Sequence, residues 1–271
     1  MRRTAAVILI GILVKCSLAL GADSGKPAAN ADAHDGYHCL FIGHSFFIPV
    51  AKRFENLPAQ CGVGNHRQQL VFSGGQSGSP GELWKGGKRA AIQKILESGQ
   101  IELLGMTYYG PTNSSLEDYR RWIEYALKYN PETAFFIGLP WGRNGAAREL
   151  AEYAWANQRA SRALYRTVVQ LRKRYPQNTF FYANYGMASV ELKRRFEAGK
   201  LPDVDRLMGK SGLYADRTGH AANILKDLSA LIWLTALYDV DLANSDLKLD
   251  YTTDLKPMAV KIGAEQAVRE P

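Results

Sequence analysis

Cysteine and histidine are scarce in this chain, at three and five residues of 271. No two cysteines form a C-x-x-C pair, and His34, His38, His44, His66 and His220 lack the spacing of a zinc site, so no structural metal is expected. Eleven prolines and 25 glycines are scattered without period, and no block of 20–50 residues recurs. Collagen-like and solenoid architectures are therefore excluded. Beyond one apolar run at residues 5–14 there is no long hydrophobic stretch, and that run is too short to span a bilayer. What remains is the composition of a packed globular protein, 46% hydrophobic and 22% charged, which excludes a disordered chain.

The first 22 residues read as a secretory signal peptide. They have a basic start (Arg2, Arg3), the apolar run, and small residues at Ala19, Gly21 and Ala22 for cleavage after Gly21 or Ala22. Cys16 with Leu13-Val14-Lys15 before it is a poor lipidation signal, because Lys15 stands where a small residue is required. A secreted or periplasmic location follows, with no membrane association after the signal is removed. Residues 23–36, rich in Ala, Asp and Gly, read as a flexible leader, and residues 37–271 as one domain. Cys39 and Cys61 remain after cleavage. They are able to pair in an oxidising compartment, but Cys39 falls in an apolar run, where a free cysteine behaves as a small hydrophobe.

Net charge is +8, and loss of Arg2, Arg3 and Lys15 leaves 31 basic against 26 acidic residues, or +5. The basic clusters Arg172-Lys173-Arg174 and Lys193-Arg194-Arg195 lie in helical stretches and read as solvated faces, so no nucleic-acid partner is expected.

Five apolar runs occur at residues 38–42, 69–72, 101–107, 133–139 and 179–182. Each has the length and composition of a strand buried on both faces of a parallel sheet. Helical segments separate or follow them at 46–60, 81–98, 115–129 and 146–175, and a last strong helix is expected at about 222–238. The alternation predicts an α/β fold, a single three-layer domain with a five-stranded parallel sheet between helices.

In such sheets, ligand-handling groups collect at the carboxyl ends of the strands. The turns there include Gly43-His44-Ser45, Ser73-Gly74-Gly75-Gln76-Ser77-Gly78, Tyr108-Tyr109-Gly110-Pro111-Thr112-Asn113 and Trp141-Gly142-Arg143-Asn144. Asp216-Arg217-Thr218-Gly219-His220 precedes the last helix. Hydroxyl, glycine amides, carboxamides, carboxylate and imidazole make the inventory of acyl transfer. Ser45 at the mouth of the first helix has the placement of a nucleophile and equally that of an N-cap. His44 reads as a packed or solvated loop residue. The glycine-rich turn lacks the Lys-Ser/Thr of a phosphate-binding loop.

Gly43-His44-Ser45 after the first strand, with Asp216 and His220 before the last helix, resembles the SGNH (GDSL-like) hydrolase family. G-x-S-x-G, the mark of α/β-hydrolases, is absent. The resemblance spans residues 38–238. It implies that Ser45, His220 and Asp216 are catalytic and that no cofactor is needed. It also implies an oxyanion hole from a glycine after the second strand (Gly75 or Gly78, with Gly74 also qualifying) and an asparagine, Asn113 or else Asn144. The sequence departs from the family in two ways. Asp216 and His220 are four residues apart rather than three, and the Gly-x-Asn-Asp motif is missing. The implied activity is a serine ester hydrolase working through an acyl-enzyme on a small-molecule or glycan ester. With an alcohol in place of water the same residues serve an acyltransferase. The competing reading is a non-catalytic carbohydrate-binding protein using Trp84, Tyr108, Tyr109 and Trp141. The two readings differ in whether Ser45 and His220 meet.

Overall fold

The apolar runs form strands β1 (His38–Gly43), β2 (Arg67–Phe72), β3 (Leu103–Thr107), β4 (Ala134–Gly138) and β5 (Phe180–Ala183) in a computed structural model that describes residues 35–267. The signal peptide and all but the last two residues of the leader lie outside the described residues. All neighbouring strands are parallel, in the order β2-β1-β3-β4-β5. This is a doubly wound arrangement, in which the chain moves outward from β1 in one direction and from β3 in the other. A crevice therefore opens at the carboxyl ends of those two strands.

The period of two along each strand divides the interior into two cores. Cys39 and Phe41 of β1 and Phe136 of β4 enter one core, whereas Leu40, Ile42, Phe135 and Ile137 enter the other. The first is covered by α1 (Ile48–Phe54), α8 (Asn223–Tyr238) and α9 (Lys256–Ala267). Its centre is Trp233 of α8, with ring centroids 4.7 Å from Phe47, 4.8 Å from Phe136 and 5.4 Å from Phe41. Gly105 makes this possible, since a Cβ there would overlap the Phe41 ring. The second core lies under α4 (Arg89–Leu96), α5 (Leu116–Leu127) and α6 (Leu150–Arg174). Cys39 and Cys61 are both free thiols.

The structure corrects the expected elements at several points. The helix expected at 46–60 is divided into α1 and α2 (Leu57–Gln60). Pro58 donates no N–H and would press on the carbonyl of residue 54, so α1 cannot run through it. The helix expected at 81–98 breaks at Gly86-Gly87 into α3 (Pro80–Lys85) and α4. β2 is an edge strand with exposed and half-buried residues, not one buried on both faces; Arg67, Gln68 and Gln69 are the sequence sign of that. Finally, α7 (Met187–Glu197) and α9 were not anticipated, and the helix at 223–238 is not the last.

Candidate active site

Ser45 owes its position to the residues on either side of it. β1 ends at Gly43, where a Cβ would sit 2.8 Å from the Phe47 ring. His44 is then buried at 3% exposure. Its Nδ1 accepts the Phe46 N–H at 3.1 Å, so the ring proton belongs on Nε2, which lies 3.2 Å from both the Tyr108 carbonyl and Thr107 Oγ1. Burial pulls the His44 pKa down to about 4, aided by the charge of nearby His220 and opposed by the Tyr108 bond. His44 is thus a neutral brace between the ends of β1 and β3. Ser45 is not a helix cap: the cap position of α1 is Phe47, with no side-chain bond. Nothing among the described residues accepts from the Ser45 N–H.

His220 reaches Ser45 across 175 residues of sequence, with Nε2 at 2.9 Å from the serine Oγ. Asp216 Oδ2 lies 2.6 Å from the other ring nitrogen, Nδ1. The remaining carboxylate oxygen accepts from the N–H groups of Gly219 at 3.0 Å and His220 at 3.2 Å. The hydrogen bond from His220 holds the Asp216 carboxyl below its usual range. The four-residue spacing fits because Gly219 takes φ of +97°, a conformation that side chains disfavour.

The loop after β4 fixes this turn from the other side. Trp141 Nε1–H donates to the Gly219 carbonyl at 2.7 Å, and the Asn144 N–H donates to Thr218 at 3.0 Å. Trp141 stacks on Phe46 at 5.2 Å, and Phe46 meets the His220 ring edge-on at the same distance. Beneath, Tyr153 hydrogen-bonds the Gly142 carbonyl at 3.1 Å and Ser189 Oγ at 2.8 Å. Phe46 and Tyr153 were not singled out in the sequence, because a buried aromatic that holds a loop looks like any other core aromatic.

Ser45 and His220 open into a cavity of about 470 Å³, within the size range of small-molecule sites. Its wall includes Gly75, Tyr108, Tyr109, Trp141, Arg143, Tyr153 and Asn157. The two candidate glycines separate here. Gly75, at φ +53°, is on the cavity wall. Gly78 is packed beneath the serine turn, where a Cβ would lie 2.7 Å from His44 Cβ. Asn113 and Asn144 are not on the wall. The backbone carbonyl of Asn113 receives the Gly81 N–H at the start of α3, at 3.2 Å. Trp84 is also elsewhere, edge-on to Trp122 at 4.8 Å. Among the described residues, no three His, Cys, Asp or Glu side chains gather where a metal ion could be held. Nor is any described helix long and apolar enough to cross a membrane.

No family model matches the chain, and no curated protein matches it in sequence. Solved structures with a similar fold include a DUF4886 family protein from Bacteroides uniformis ATCC 8492. It is 14% identical, with a TM-score of 0.53 over 88% of this chain and 96% of that one. The Salmonella ser. Paratyphi A lipopolysaccharide acetyltransferase periplasmic domain is 12% identical, with a TM-score of 0.41 over 74% of this chain and 84% of that one. The likeness is one of fold, and the first structure carries it.

Proposed function

We propose that this chain is an exported serine ester hydrolase of the SGNH (GDSL-like) type, acting on acylated carbohydrate through an acyl-enzyme. The observation that carries the reading is the 2.9 Å approach of His220 Nε2 to Ser45 Oγ, with Asp216 at 2.6 Å behind the ring. These lie within the range a general base needs. A non-catalytic sugar-binding protein has no need of that contact.

In the proposed reaction His220 Nε2 takes the Ser45 proton as Oγ attacks the ester carbonyl. Asp216 keeps the other ring proton on Nδ1 and stabilises the imidazolium. The Ser45 and Gly75 amides face the developing oxyanion, each contributing about 3 kcal/mol to lowering the barrier. Asn113, outside the cavity, has no part in this version of the hole. Collapse of the tetrahedral intermediate expels the alcohol, which takes the proton from His220. Water, deprotonated by the same ring, then releases the acid.

A panel of p-nitrophenyl esters of increasing chain length tests this, run on the wild type and on Ser45→Ala. Turnover by the first and none by the second is expected; equal rates would remove the reading. Running the same reaction with an added alcohol shows whether acyl transfer competes with hydrolysis. Export rests on residues 1–22 alone, and N-terminal sequencing of the protein recovered from outside the cytoplasm tests it.

A further inference from the structure

Asn157 is the polar interruption in the buried stripe of α6, which otherwise runs Tyr153, Leu164, Val168 and Leu171. It is 5% exposed and lies on the cavity wall; its Oδ1 is enclosed without a hydrogen-bond partner among the described residues, while its Nδ2, also without one, is the end not enclosed. A buried carboxamide left unpartnered is costly to the fold, and an apolar residue of the same size would avoid that cost. Its presence in the cavity that holds Ser45 therefore points to a ligand.

The position of Asn157 says how far that ligand extends. A Cβ at Gly186 would collide with the Asn157 amide nitrogen and lie 2.7 Å from the Pro140 carbonyl, so Asn157 sits by the turns after β4 and β5. Ser45 follows β1, and two strand steps separate β1 from β4, or about 10 Å. An acetyl group alone does not span that distance, whereas a six-membered ring attached through the ester oxygen does. Ala156 and Ala160, on the same face of α6, leave room for it beside Leu139 and Tyr108. A hydroxyl both donates and accepts, so it satisfies either end of the carboxamide.

We propose that Asn157 is a specificity-determining residue that hydrogen-bonds a free hydroxyl on the sugar ring of a partially acylated monosaccharide, about 10 Å from the reacting carbonyl. The proposal rests on the esterase reading for its chemistry but is testable by binding alone. The experiment uses monoacetylated glucose, galactose and xylose beside p-nitrophenyl acetate, with Asn157→Leu and Asn157→Ala.

Expected is an approximately tenfold rise in KM for at least one acetylated sugar with little change in its kcat, and a several-fold smaller loss on p-nitrophenyl acetate. The melting temperature of Asn157→Leu should be no lower. In a Ser45→Ala background the same sugar should bind, and Asn157→Leu should weaken its Kd about tenfold. Equal losses on both substrate types would overturn the proposal in favour of a packing role, as would unchanged KM and Kd in favour of a buried water. If the sugar binds through Asn157 but no ester is turned over, the anchor stands and the esterase reading falls. If p-nitrophenyl acetate is hydrolysed but no sugar binds, the reverse holds.

Discussion

Trp141 holds Gly219, its indole N–H donating to the Gly219 carbonyl at 2.7 Å. One bond thus ties the end of β4 to the turn that carries His220. Trp141→Phe keeps the stack on Phe46 and removes only that bond. A drop in kcat of about tenfold with little change in KM is expected, because the ring of His220 loses part of its positioning rather than its chemistry. Steady-state kinetics on p-nitrophenyl acetate check this; an unchanged kcat would mean that the turn is held without Trp141.

Gly75 and Gly78 should respond to alanine in opposite ways. At Gly75 a Cβ meets nothing within 4 Å, so Gly75→Ala should cost about 1 kcal/mol of stability from its positive φ. Its effect should be mainly on kcat, as the methyl group enters the cavity. At Gly78 a Cβ would collide with the Ser73 carbonyl and approach Gly43 C to 2.8 Å, atoms of the backbone that cannot swing aside. Gly78→Ala should lose about 3 kcal/mol or more. Thermal melts and kinetics on the two variants separate these outcomes. A stable, slow Gly78→Ala would reverse the assignment.

How much of this was legible beforehand depended on local chemistry. Four strands were visible because buried parallel strands are continuous apolar runs, the edge strand β2 showed only through Leu70-Val71-Phe72, and the turns at their carboxyl ends could be named from Gly43, Gly75 and Gly110. The pairing of Asp216 with His220 was visible only as what the resemblance to the SGNH pattern implies, with one residue more between them than that pattern has. What could not be read was direction. Gly75 and Gly78 are equivalent in sequence, and only the fold turns one toward the cavity and the other under His44. Nor does sequence show that Asn113, six residues past β3, lies off the cavity wall. Asn157 had a signal in the sequence, a polar residue at an apolar position of the stripe that begins at Tyr153. It gains meaning only when the cavity beside α6 is seen.

His44 should make the protein sensitive to mild acid. Its pKa is lowered from 6.5 to about 4 in the fold, so between those values the unfolded chain binds a proton that the folded chain does not. Stability therefore falls as pH drops from 6.5 toward 4, by up to about 3 kcal/mol. Asp216 acts below that window, since its lowered carboxyl loses its contribution only as pH falls below the ordinary carboxylate value. His44→Asn retains an acceptor for the Phe46 N–H and removes the titrating ring. It should be less stable at neutral pH, with a flatter stability profile between pH 6.5 and 4. Urea melts across that range measure the slope, and identical slopes would contradict the buried neutral state.

In the proposed reaction Ser45 is a nucleophile made reactive by His220, and covalent labelling reads that reactivity. A fluorophosphonate should add to the wild type, with peptide mapping placing the mass increase on Ser45. Labelling should vanish in Ser45→Ala and His220→Ala, and slow by a hundredfold or more in Asp216→Asn, where the ring loses its carboxylate. Labelling at another residue, or labelling of Ser45 at the same rate in His220→Ala, would contradict the account.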